Sequence, residues 1–366
     1  MEKKVKIFGA ALDATDFPLN VQTKLVYLNR VAQNSVSEPN FLDPYEGLLL
    51  YSRILSNENY TKMGKLPVES WLTPKPMIED FPLIDQENFQ KFANDGLVKE
   101  YSNKLENYIQ KKILPDVPIM IGADHSLTGG ALSALSKEYG AENMLVVVFD
   151  AHYDGIPANI ALYIAKYMKY HPDKANPLVP ELTSSINENS DIKDNYTCAS
   201  FLHYLMKDEI ILPENLIIFG CQDYPDEEYR SIKDPRIVEF VEFFNSIEEK
   251  GVTFIPKMES TQMIEKLNSK LEKINKPYIY ISFDVDVGGL KEIIAARFRN
   301  AIGIEKSTII EAAEVIKKKL DSKKCEIIGL DIMEIETHLL NRVFPKSGRK
   351  DLTIEVVDDF LEVLMF

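Results

Sequence analysis

The run Met144-Leu145-Val146-Val147-Val148-Phe149, followed at once by Asp150-Ala151-His152-Tyr153-Asp154, constrains this chain more than any other stretch. Six apolar residues in a row, half of them valine, read as a buried strand. In extended backbone residues i, i+2 and i+4 point the same way, so Asp150, His152 and Asp154 leave the end of that strand together. A second apolar run, Tyr278 to Phe283, leads into Asp284-Val285-Asp286 about 130 residues downstream, again with both acids on one side. A third, Val117 to Ile121, ends in Gly122-Ala123-Asp124-His125-Ser126 and offers another imidazole at a strand-to-helix turn. If the three ends meet, four carboxylates and two imidazoles share one cavity. A bare carboxylate pair near 4 Å costs roughly 4 kcal/mol at an effective dielectric of about 20. Two divalent cations would cancel the four negative charges.

Each piece alone has an ordinary explanation. An Asp-x-His-x-Asp can be a solvated loop, acids after a strand often cap the next helix, and a lone histidine is commonly a hydrogen-bonded structural group. The pieces gain meaning together, because all three follow apolar strands in α/β order, where ligand sites gather at the carboxyl ends of parallel strands. Further strands are expected at Lys4–Ile7, Asn215–Phe219, Val252–Ile255 and Cys325–Ile328. Helices are expected near Leu127–Tyr139, Asp226–Lys250, Thr261–Ile274, Lys306–Leu320 and Thr353–Met365. That alternation predicts an α/β fold with a mostly parallel sheet and helices on both faces. One domain over residues 1–366 is the simplest count.

These residues resemble the ureohydrolases, the family of arginase, agmatinase and formiminoglutamase. Gly122 to Ser126 is similar to the family's Gly-Gly-Asp-His-Ser, Asp150 to Asp154 to its Asp-Ala-His-x-Asp, and Ser282 to Asp286 to its Ser-x-Asp-x-Asp. Gly329-Leu330-Asp331-Ile332-Met333-Glu334 is similar to the segment whose glutamate holds the substrate guanidinium. The resemblance covers roughly residues 115 to 366 and implies a three-layer arginase-like fold. It implies one metal held by His125, Asp150, Asp154 and Asp284 and a second held by Asp150, His152, Asp284 and Asp286, with Asp150 and Asp284 bridging. Mixed oxygen and imidazole ligands suit Mn²⁺, the family's usual metal, and leave Fe, Co, Ni and Zn open. The implied reaction is addition of hydroxide to a guanidinium carbon, the metal pair having lowered the pKa of the water, with release of urea and an amine. Asp154 would orient the water and pass on its proton. Glu334 would meet the planar, always charged guanidinium with two parallel charge-assisted hydrogen bonds.

The departures bear on substrate. After Asp286 the family continues with Asp-Pro and a Gly-Thr-Gly-rich turn, whereas this chain reads Val287 to Arg299 without either. The family's Gly-Asn-x-His loop, whose histidine shuttles protons, is missing after Asp154. Instead 43 residues, 155 to 197, separate Asp154 from Cys198, and His203 is the nearest candidate for the shuttle. The same His203 also fits an ordinary position on an amphipathic helix over 198–207. Where the family places acids against the amino end of free arginine, Cys221 to Tyr229 offers Asp226 and Glu228, which equally suit the start of a helix. Residues 12–90 fit the strand–helix rhythm poorly, and Val68 to Pro76 is proline-punctuated. Segments 12–90 and 155–197 are therefore expected as pocket walls or a lid, shaping room for something other than free arginine, such as an arginine side chain within a peptide.

Net charge is −15 and the acids are spread along the whole length. Nucleic acid is excluded as a partner, since phosphate binding needs a cationic face, while a small cationic guanidino substrate would be drawn in. No apolar run approaches the length of a membrane span, and the first residues lack the apolar segment of a signal peptide. Cys198, Cys221 and Cys325 sit at unrelated spacings, so neither a disulfide framework nor a zinc finger is expected. A cytoplasmic location and a homo-oligomer are the resulting expectations. Two other functions stay open at this point: a zinc deacetylase-like amide hydrolase on the same architecture, and a metal-binding protein without turnover.

Overall fold

Eight segments adopt extended backbone and pair side by side: β1 (Val5–Ala10), β2 (Thr61–Lys65), β3 (Val117–Gly122), β4 (Met144–Phe149), β5 (Leu216–Phe219), β6 (Thr253–Ile255), β7 (Tyr278–Asp284) and β8 (Glu326–Met333). They form one sheet in the order β2-β1-β3-β8-β7-β4-β5-β6, with every neighbouring pair parallel. The computed structural model describes residues 3–35, 42–171, 193–322, 325–344 and 348–365.

The strand order places the chemistry. The chain crosses from β3 to β4 over two vacant positions, which β7 and β8 fill only at the end of the sequence. Four strands that end in acids or histidine thus become neighbours at the centre. Register sets them flush: Phe149 pairs with Phe283, Phe283 with Ile332 and Ile121 with Ile332. The residues after that row, Asp150 on β4 and Asp284 on β7, therefore emerge side by side at the carboxyl edge.

Side-chain alternation along the strands sorts the core into two layers. On β4, Met144, Val146 and Val148 face one cluster while Leu145, Val147 and Phe149 face the other. The first cluster is covered by helices such as Gln86–Asn94, Leu97–Tyr108, Thr128–Tyr139 and Pro235–Glu249; the second by Ser260–Lys273, Lys306–Asp321 and Thr353–Met365. Three layers result, helices on both faces of a parallel sheet, as expected. No helix among the described residues is long and apolar enough to cross a membrane.

Several elements differ from the reading of the sequence. The helix expected over Asp226–Lys250 is two helices, Glu227–Ser231 and Pro235–Glu249. Proline pushes the residue before it out of helical backbone, and Asp234, extended at φ −64° and ψ 129°, caps the second helix through the Arg236 amide. Strand β8 runs on past Ile328 to Met333, because it pairs with β3 on one side and β7 on the other. Segment 12–90 is built into the sheet, supplying edge strand β2 and the helices Pro18–Ala32 and Pro44–Tyr51. β2 escaped notice because an edge strand needs little apolar surface, and Thr-Lys-Met-Gly-Lys is almost wholly exposed. Of segment 155–197, residues 155–171 and 193–197 are described and include the helix Ala158–Tyr170; residues 172–192, like the pair Lys323-Lys324, lie outside the described residues.

The C-terminal helix docks through Phe360, whose ring stacks on Phe283 at 4.5 Å and 17° and meets Phe149 edge-on at 5.1 Å. Phe360→Ala is expected to destabilise the fold by about 3–5 kcal/mol, read from the midpoint of urea unfolding. A loss below about 1 kcal/mol would show that the helix is held by something else.

Candidate metal centre

Where β3, β4 and β7 end, the six residues singled out in the sequence converge. His125 Nδ1 lies 3.1 Å from Asp150 Oδ2, 2.8 Å from Asp154 Oδ2 and 3.2 Å from Asp284 Oδ2. His152 Nδ1 lies 2.9 Å from Asp286 Oδ2 and 3.6 Å from Asp150 Oδ1. Two ligand groups of metal-binding dimensions follow, His125 with Asp150 and Asp284, and Asp150 with His152 and Asp286; Asp150 belongs to both. Glu334, at the end of β8, joins Asp284 and Asp286 in a third.

The local backbone holds the acids in place. The Asp150 carboxylate accepts the His152 amide at 2.6 Å, and the Asp284 carboxylate accepts the Asp286 amide at 2.9 Å. Asp286 accepts the Ala151 amide at 3.2 Å, which ties the ends of β4 and β7 together. Asp154 and Glu334 have left-handed backbone, φ 44° and 61°, a conformation uncommon for side-chain-bearing residues. Arg297 braces the second of these by donating its backbone N–H to the Glu334 carbonyl at 2.8 Å.

A second tier fixes His125. Its Nε2 lies 2.8 Å from Ser282 Oγ, which donates to Asp331 Oδ1 at 2.6 Å. Thr128 and Tyr280 hydroxyls donate to the other Asp331 oxygen. With Nε2 engaged behind it, the ring turns Nδ1 toward the acids, the arrangement by which carboxylate networks orient metal-bound imidazoles.

Charge in the cavity is out of balance. Burial, then the Asp150 charge, pushes the Asp154 carboxyl up to about 7. Burial and the neighbouring carboxylates likewise raise Asp284 and Glu334 well above the usual range. Asp150 goes the other way: burial opposes ionisation, yet its contacts with His125 and His152 bring it down to about 2. Both imidazoles are pushed up, burial being outweighed by the acids around them. The direction of these shifts is that of a site short of positive charge. Three of its buried atoms, His125 Nδ1, Asp150 Oδ2 and Asp286 Oδ2, have no hydrogen-bond partner among the described residues. Buried polar atoms without partners are rare in folded proteins, and all three face the spaces where the ligand groups converge. The residues fit a pair of divalent cations.

A family model described as the arginase family matches residues 55–343. The chain belongs to the arginase family. An arginase of Staphylococcus aureus (strain COL) is 27% identical over 247 residues, 66% of this chain and 66% of that protein. Among solved structures, the arginase of Bacillus caldovelox aligns over 99% of this chain and 98% of its own with a TM-score of 0.54 at 16% identity. The proclavaminate amidino hydrolase of Streptomyces clavuligerus aligns over 100% of this chain and 91% of its own, with a TM-score of 0.54 at 15% identity. At such identities the likeness is one of fold.

Other candidate residues stand elsewhere in this arginase-family chain. His203 lies on the helix Phe201–Lys207, edge-on to Tyr204, with burial lowering its pKa and Asp194, Lys207 and Lys250 as its charged surroundings. The neighbouring Phe201 ring, instead, packs on His125 at 5.0 Å. Asp226 is an exposed helix cap that accepts the Tyr229 amide, and Glu228 is exposed in the first turn after it. The acid of this stretch that approaches the centre is Asp223, whose Oδ2 accepts the Tyr153 amide at 3.1 Å. It comes four residues after strand β5 ends at Phe219, a looser form of the signal that marks Asp150 and Asp284. Sequence reading also passed over a buried ion cluster beside Glu334: Arg297 Nη2 donates to Asp13 Oδ1 at 2.6 Å, Lys24 Nζ lies 3.2 Å from Asp13 Oδ2, and Arg297 Nη1 lies 3.6 Å from Glu336 Oε2. The departing segment Val287–Arg299 thus delivers an arginine into the wall of the site.

Two measurements test these arrangements. Ser282→Ala or Asp331→Asn is expected to weaken metal binding about 10- to 100-fold, measured by competition with a chelating dye; unchanged affinity would remove the orienting role. Lys24, lowered by burial from 10.5 to about 8, binds its proton less tightly folded than unfolded. Between those two values the unfolded chain holds more protons, so this group's contribution to stability rises as pH increases from 8 to 10.5. The difference in unfolding free energy between wild type and Lys24→Met should therefore shift toward the wild type across that window, and a flat difference would contradict it.

Proposed function

We propose that the chain is a binuclear metal-dependent ureohydrolase, cleaving the C–N bond of a guanidino group to give urea and an amine. The observation that supports it most is the pair of ligand groups sharing Asp150, with Glu334 a third carboxylate on their edge. His125, Asp150, Asp154 and Asp284 would hold one cation and Asp150, His152, Asp284 and Asp286 the other, with Mn²⁺ the first metal to test. Bound there, such a pair supplies Lewis acidity and a water of lowered pKa.

The protein's own groups then divide the work. Glu334, buried and braced from behind by Arg297, accepts two parallel N–H bonds from the guanidinium and fixes its plane. Asp154 takes the proton of the attacking water at a carboxylate oxygen and delivers it to the departing nitrogen. The water oxygen forms the new bond to the guanidinium carbon; the bond to the alkylated nitrogen breaks, and that nitrogen leaves as the amine. Phe201 keeps the His125 side of the cavity dry. Segments 12–90 and 155–197, atypical in sequence, make a peptide-borne arginine a candidate substrate beside free arginine and agmatine.

Urea release from arginine, agmatine, guanidinobutyrate and an arginine-containing peptide, with metal content measured on the same preparation, tests the reading. Two metals with urea support it. One zinc with acetate release from acetylated amines would replace it with an amide hydrolase, and metal without turnover with a binding protein. Asp150→Ala and Asp284→Ala should each abolish urea release and lower metal content. Glu334→Ala should raise KM about 10- to 100-fold, the worth of a charge-assisted hydrogen-bond pair, while metal content stays at the wild-type level. Full activity in either bridge variant would refute the ligand assignment.

A further inference from the structure

Lys75 belongs to the proline-punctuated stretch Val68–Pro76. Its ammonium lies 5.1 Å from the centroid of the Tyr27 ring, and no hydrogen bond or ion pair joins it to a described residue. Burial lowers its pKa, with the Glu336 charge opposing. An ammonium drawn out of water without an anion beside it is costly, so its surroundings matter. It faces a cavity of about 270 Å³ that also gathers Arg30, His338 and Arg342, with Tyr27 and Leu19 on the apolar wall. No acidic side chain is among the described residues that line it. The side chains of Arg30 and Arg342 likewise make no ion pair with a described residue. In a chain of net charge −15, Arg30, Lys75 and Arg342 converge on one hollow beside the His338 imidazole, and a hollow lined by cations concentrates anions.

His338, in the cavity wall, lies four residues beyond Glu334 in the chain. His338 Nδ1 lies 2.6 Å from Glu336 Oε1 without forming a well-directed hydrogen bond to it, and Nε2 is the ring's other polar atom. Glu336 also faces Arg297 at 3.6 Å. From Glu334 to His338 the chain spans at most about 14 Å, so the hollow lies within the length of a short side chain or dipeptide of that carboxylate.

We propose that this cavity is an anion subsite, taking a carboxylate or phosphoryl group carried by the guanidino substrate. The identity of the carrier rests on the ureohydrolase reading; the anion site itself does not. Calorimetric titration of the metal-loaded full chain with succinate and with inorganic phosphate, in wild type, Lys75→Met and Arg342→Gln, tests it. Each variant is expected to bind at least one of the two anions about tenfold more weakly, with metal content equal to wild type. Loss confined to succinate assigns a carboxylate, and loss confined to phosphate a phosphoryl group. Equal affinities across the three proteins, or no binding to wild type, overturn the proposal. Arg342 is exposed, so its substitution keeps the test intact should Lys75→Met fail to fold. The carrier is tested separately by the KM for arginine peptides with aspartate or alanine next to the arginine: Arg342→Gln should erase the wild-type preference for aspartate. Failure of every guanidine to yield urea would remove the ureohydrolase reading and leave the calorimetric result standing.

Discussion

Four carboxylates from two neighbouring strand ends, buried within hydrogen-bonding distance of two imidazoles, are the constraint around which this structure is arranged. Like charges so close and so dry repel strongly, which pushes Asp154, Asp284 and Glu334 up, while the acids push both imidazoles up as well. A site with that charge surplus persists only on a scaffold that cannot relax away from it. The parallel sheet is such a scaffold: Phe149, Phe283 and Ile332 lie in one register row, locked from below by aromatic packing that includes Phe219 and Phe360. The row above has no freedom to spread.

Support from the sides is as specific as support from below. Asp331 receives three hydroxyls and, through Ser282, sets the His125 ring. Asp154 and Glu334 hold left-handed backbone that only a well-determined surrounding sustains. Glu334 is held by the turn after β7, whose Arg297 is buried against Asp13 and Glu336. The same turn departs from the family's usual sequence. A part of the chain that departs from the family's motif is thus in direct contact with the part proposed to read the substrate, and the hollow lined by Lys75, His338 and Arg342 begins four residues beyond Glu334 in the chain.

Much of the centre could be read from residues alone. Asp150, His152 and Asp154, like Asp284 and Asp286, follow apolar runs whose period-two geometry carries them to one side, and that local rule needs no tertiary knowledge. His125 was legible for the same reason. Asp223 carries a weaker form of the signal, an acid just beyond a strand end, and was passed over for the more conspicuous acids Asp226 and Glu228, which are solvent-facing at a helix start. His203 sits in a helix whose inward face is taken by Phe201, Leu202 and Leu205. Which face turns inward is decided by packing.

Residue order alone located seven of the eight strands, their alternation with helices and the six side chains that converge, because hydrophobic period and strand-end geometry act over a few residues. Tertiary structure alone decided that β7 and β8 enter between β3 and β4, that polar Thr61–Lys65 is the edge strand, and that Asp13, Lys24 and Arg297 meet beneath Glu334. These are contacts between segments separated by tens to hundreds of residues. They are fixed by which surfaces exclude water together, a quantity that no local stretch of chain contains.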